Sequence, residues 1–99
     1  MVNGAVNLQD GRRIMKMFRG WRDVEEVLGT ARVEILSKDG ANADYRVTEP
    51  DGRVHNETTS YADSFFSGAV PGSKYVWAHL KGTCDAWFNF YPLNDVEKA

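Results

Sequence analysis

Few residues in this chain have the chemistry to do more than pack. Cys84 is the one thiol, and His55 and His79 are the two imidazoles. The segments 74–80 and 83–91 read as a β-hairpin joined by Lys81-Gly82. A two-residue loop there pairs Leu80 with Thr83, His79 with Cys84, Trp77 with Ala86 and Tyr75 with Phe88. Cross-strand partners have Cα atoms about 4.5–5.5 Å apart, within reach of a thiol–imidazole hydrogen bond. A nucleophilic site of that kind also needs a group to orient the imidazole. Asp85 falls on the other face of the hairpin, so none is supplied. The competing reading of Cys84 is a small, buried, inert thiol beside a hydrogen-bonded His79.

Metal chemistry has less to work with. One cysteine excludes an intrachain disulfide and a cysteine-built zinc or iron–sulfur site. Asp39, Asp44, Glu49 and Asp51 fall in predicted turns without the spacing of a calcium loop. Gly68-Ala69-Val70-Pro71-Gly72-Ser73-Lys74 has the wrong glycine spacing for a phosphate loop. A strand also follows it, where phosphate binding needs a helix N-terminus. Glu25 and Glu26 are adjacent on a predicted helix and do not face each other, so they form no acid/base pair. No cofactor and no metal are expected, and the chain does not read as an enzyme.

Two binding features remain. Arg12, Lys16 and Arg19 share the polar face of a predicted first helix, where they can meet an anionic partner or simply face solvent. Half of the twelve aromatic residues lie between Tyr75 and Tyr91. Tyr75, Trp77, Trp87, Phe90 and Tyr91 put aromatic rings on both faces of the hairpin. Exposed Trp and Tyr favour partner binding because they bury large areas with few rotatable bonds. The alternative is a sheet packed on both faces.

The elements that position these residues follow from periodicity. Ile14, Met17, Phe18, Trp21, Val24 and Leu28 keep helical spacing, with Gly20 inside the run, Asp23 as a second cap and Gly29 as a stop. The rival is a hairpin about Asp10-Gly11, with strands at 6–8 and 12–18. A meander follows over 32–36, 43–48 and 53–58, turned at Asp39-Gly40 and Pro50-Asp51-Gly52. Its last strand is polar, as befits an edge. Ser60 and Asp63 suggest a capping box for a short helix carrying Tyr61, Phe65 and Phe66. The order helix, three antiparallel strands, helix over residues 9–67 resembles a double-stranded-RNA-binding domain in outline. That family's basic second helix is replaced here by Tyr61, Ala62, Asp63, Phe65 and Phe66, so nucleic acid is not expected as a partner.

The whole is therefore an α+β single domain over 1–99. A mainly antiparallel sheet of about five strands, three from the meander and two from the C-terminal hairpin, packs with an N-terminal helix and a short middle helix. Residues 1–8 and 93–99 are expected to fray. Net charge is −2 over 99 residues. By segment it is +4 over 9–22, −6 over 23–63 and zero over 64–99. No apolar block has the length of a signal peptide or a membrane span, so a cytoplasmic location is expected. The leading expectation is a non-catalytic protein-interaction module. In size and layout it resembles phage- or mobile-element-encoded inhibitors such as anti-CRISPR proteins. The partner is another protein or a second copy in a homodimer. The alternatives are a small-molecule binder with an aromatic pocket and a thiol enzyme built on Cys84 and His79.

Overall fold

The computed structural model describes residues 5–18 and 24–99. Helix α1 covers Leu8–Met17 and strand β1 covers Val24–Asp39. Strands β2 (Asn42–Thr48) and β3 (Val54–Thr59) complete the meander, and α2 (Ala62–Phe65) follows. Strands β4 (Lys74–Gly82) and β5 (Ala86–Pro92) form the hairpin, and α3 (Leu93–Lys98) ends the chain. All five strands join one antiparallel sheet in the order β3-β2-β1-β4-β5. The α+β architecture is the expected one. A Cα radius of gyration of 13.3 Å matches the roughly 13 Å of a compact 100-residue chain.

The largest correction is at the N-terminal side. The predicted helix running from Ile14 to Leu28 stops at Met17, and Val24 and Leu28 belong to a 16-residue strand. Residues 19–23, with the expected Gly20 break and Asp23 cap, lie outside the described residues. The cause is a pair of β-bulges. Pairing of β1 with β4 slips between Val24 and Glu26 and again between Val27 and Gly29. Each slip inserts a residue, and the first lies between Val24 and Val27, which pack in the same apolar cluster three positions apart. Bulged strand spacing here imitates a helical stripe. Glu25 and Glu26 are thus strand residues.

The alternative hairpin about Asp10-Gly11 does not form either. Asn7 caps α1, its side-chain oxygen accepting from Asp10 N–H at 3.0 Å. Asp10, Ile14 and Phe18 form the buried i, i+4 column of this segment. Asp10, 1% exposed, accepts from Arg32 Nε at 2.7 Å and Nη2 at 2.8 Å. This two-bonded ion pair pins α1 to β1, and the Asp10 hydrogen bond raises the Arg32 pKa. Asn7 N–H also donates to Thr30 Oγ1 at 2.9 Å, and Thr30 N–H donates to Ala5 O at 3.0 Å. The leading segment from Ala5 on is therefore tied down rather than frayed. At the other end, the segment expected to fray over 93–99 carries α3, docked by fully buried Val96.

Both predicted meander turns form. Gly40 has φ +59°, and Gly52 (φ +91°) donates its N–H to Glu49 O at 2.9 Å. The expected Ser60–Asp63 capping box does not: Tyr61 is the N-cap of α2, with no side-chain cap bond.

The sheet carries an apolar cluster on each face. One face carries Ala31, Val33, Ile35, Ala43, Val47, Tyr75 and Phe90 under Ala62 and Phe66. The other carries Val76, Ala78 and Leu80 under Ile14 and Phe18 from the first helical segment and Val96 from α3. This is the two-sided packing weighed against an exposed hairpin.

Candidate functional site

The hairpin register differs from expectation by four residues. His79 pairs with Phe88, Trp77 with Phe90 and Tyr75 with Pro92. Lys81 pairs with Ala86, leaving residues 82–85 as the connection. Gly82 N–H donates to Asp85 O at 2.8 Å. Gly82 is buried and paired with Val24, so it serves strand contact rather than a two-residue turn. A shift of four is even, so the side chains that remain paired keep their expected faces. The Cys84–His79 pair is lost, however. Cys84 is exposed in the connection, neither a partner of His79 nor a buried thiol.

The expected aromatic set divides. Tyr75 and Phe90 are core residues, 8% and 9% exposed. Burial also raises the Tyr75 phenol pKa. Trp77 is half-buried on the face of α2. Trp87 and Tyr91 are half-buried on the opposite face, where Tyr91 meets Phe18 edge-on at 5.6 Å. The exposed aromatic of the hairpin is Phe88, 52% exposed and not singled out from the sequence.

Of the basic stripe, Arg12 and Lys16 are exposed on α1, and Arg19 lies outside the described residues. Arg12 and Lys16 line a groove that Glu25 and Glu26 also line, so carboxylates offset its positive charge.

A different site emerges beside α2. The short helix and the loop after it cover only one end of their sheet face. Phe65 and Phe90, with ring centroids 5.1 Å apart, wall off the covered end. Beyond them is an open cleft of about 320 Å³, floored by Ala31, Val33 and Val47 and walled by Tyr45, Phe65, Trp77, Phe88 and Phe90. Phe88 stands 6.3 Å from Trp77 and 6.0 Å from Phe65, centroid to centroid, so the rings form a continuous lining. Ala31 faces Trp77 across the β1–β4 pair. A larger side chain there would occupy the space.

The far wall is polar and comes from β3 and the turn before it. Alternation places His55 and Glu57 on the cleft face, opposite Val47 and Tyr45. His55 Nδ1 lies 2.9 Å from Glu57 Oε2, and Nε2 lies 3.1 Å from Glu49 Oε2. Only the imidazolium donates to both carboxylates. The His55 pKa is accordingly raised, first by the Glu49 hydrogen bond, which outweighs the opposing effect of burial, and further by the hydrogen bond and charge of Glu57. Tyr45, beside this group, has its phenol pushed up by burial and by the Glu57 charge. With His55 protonated, the cleft carries one net negative charge, with no Lys or Arg among the described residues of its lining.

Sequence reasoning missed this cleft because its parts are distant in the chain. The available signal was alternation: His55 and Glu57 are two apart on a strand, and Tyr45 lies opposite Glu57. Among the described residues, no group of three or more His, Cys, Asp or Glu side chains could hold a metal ion. Among the same residues, no helix is long and apolar enough to cross a membrane. No protein-family model, curated protein or solved structure matches the chain.

Proposed function

We propose that this protein is a non-catalytic interaction module that docks a partner protein on the aromatic cleft beside α2. The observation that carries the reading is the half-exposed Phe88–Trp77–Phe65 lining on an otherwise closed sheet face. Large aromatics with rigid neighbours are the residues that anchor protein interfaces. The non-catalytic part is supported by His55, whose two ring nitrogens are both engaged by carboxylates. A catalytic imidazole needs one nitrogen for its substrate. The basic residues Arg12 and Lys16 lie outside this surface.

The sheet edges favour a face-on partner over strand addition. On β5, Asn89 Oδ1 accepts from Phe90 N–H at 2.8 Å, so a side chain occupies a backbone donor of this edge strand. On β3, charged His55 and Glu57 flank the other edge. Both devices discourage pairing with an added strand. Within this proposal, the protein acts in the cytoplasm as an inhibitor of a larger host complex, in the format of mobile-element inhibitors.

Affinity capture with wild-type protein and the Phe88→Asp variant tests the reading. A stoichiometric partner held by wild type and lost by Phe88→Asp, with the variant still showing a cooperative melt, is the expected result. A partner retained by Phe88→Asp, or no partner, overturns it. The cleft volume gives a second reading: about 320 Å³ is at the small end of the roughly 300–1,000 Å³ range of ligand pockets. A small-molecule ligand would raise the melting temperature of isolated protein by mass action. The protein-partner reading expects a flat ligand screen.

A further inference from the structure

We infer that the cleft is a socket for an arginine side chain of the partner protein. This rests on the docking surface proposed above and specifies its chemistry. The cleft volume of about 320 Å³ suits one anchoring side chain better than a peptide segment. The walls are the rings of Tyr45, Phe65, Trp77, Phe88 and Phe90. Such rings attract a cation placed over them, and a planar guanidinium also stacks on them.

The polar wall completes the match. His55 is bonded to Oε2 of Glu57 and to Oε2 of Glu49, which leaves the other carboxylate oxygen of each as an acceptor. Two carboxylates against one imidazolium leave a net charge of −1, and among the described residues no lining Lys or Arg neutralises it. An anionic or neutral anchor would leave this charge unmatched as water is expelled, whereas a guanidinium brings the opposite charge and donors for both acceptors. The surrounding segment has the same sign, with ten acids against four bases over residues 23–63.

The test uses two isosteric probes on the full chain labelled with ¹⁵N: N-acetyl-arginine amide and its neutral citrulline counterpart. Chemical-shift changes are followed at the Trp77 indole and at the amides of His55, Glu57 and Phe88. The arginine probe is expected to bind these positions about tenfold more tightly than the citrulline probe. Glu57→Gln, on an exposed edge strand, should reduce that preference several-fold, and added salt should weaken it. Equal binding of the two probes, no shift with either, or a preference unchanged in Glu57→Gln overturns the socket. In those cases Phe88-dependent partner capture still decides the docking surface separately. A wild type that captures no partner, or a partner kept by Phe88→Asp, alongside a clear arginine preference would overturn the docking surface and leave a site for free guanidinium compounds.

Discussion

At the scale of single residues, the strongest electrostatic feature is structural. Asp10 is buried and Arg32 is half-exposed, with side-chain accessibilities of 2% and 44%. The two ends of this ion pair are therefore unequal. Removing Arg32 strands a buried carboxylate, while neutralising Asp10 leaves a guanidinium that water can reach. Arg32→Met should cost about 3 kcal/mol, and Asp10→Asn about 1.5–2 kcal/mol. Urea unfolding of the two variants checks the order. His55 makes a second prediction, with a definite sign. Its native pKa is raised above the usual 6.5, first by the Glu49 hydrogen bond. Its stabilising contribution is therefore fully present below about pH 6.5 and is lost as pH rises through the raised native value. The difference in urea midpoint between wild type and His55→Gln should be largest on the acid side and shrink above neutrality. A difference independent of pH would contradict the imidazolium bridge.

At the scale of elements, α3 shows how a short terminal segment joins the core. Val96 is fully buried against the face that Ile14 and Phe18 cover. Val96→Ala should cost about 1.5–3 kcal/mol, by the value of a buried valine side chain, read as a lower urea midpoint with an unchanged slope. From the sequence, the charged run Asn94–Ala99 looks like a solvated tail, because Val96 as its one large apolar residue gives no periodicity. Legibility elsewhere follows the same logic. The meander was readable because Asp39-Gly40 and Pro50-Asp51-Gly52 fix turns locally. The first half of β1 was not, because the bulge between Val24 and Glu26 gives strand residues Val24 and Val27 the spacing of a helix. Asn7, three residues before Asp10, was the overlooked sign that α1 begins there. The hairpin faces were right and its register wrong, since the connection depends on Gly82 serving β1 rather than the turn. That one error created the apparent Cys84–His79 site and hid the exposure of Phe88.

At the scale of the whole molecule, the helices apportion the surface. The first helical segment and α3 cover the hairpin side of one sheet face. The four-residue α2 is too short to cover the other face, and the cleft is what it leaves open. The four bases of the acidic segment are all engaged in ion pairs, so its net charge of −6 rests on carboxylates they do not neutralise. Lys38, Arg46 and Arg53 of the acidic segment pair with Asp63, Glu34 and Asp51, and Arg32 pairs with Asp10. The proposed recognition is concentrated at one aromatic opening with an acidic wall, and the chain provides its own reporters. Trp77 lines the cleft, while Trp87 packs on the opposite sheet face. The most direct measurement is the indole N–H spectrum of the labelled protein, free and in complex with its captured partner. Docking at the cleft predicts a large shift of the Trp77 indole and little change at Trp87. A complex that moves Trp87 and leaves Trp77 in place would contradict it.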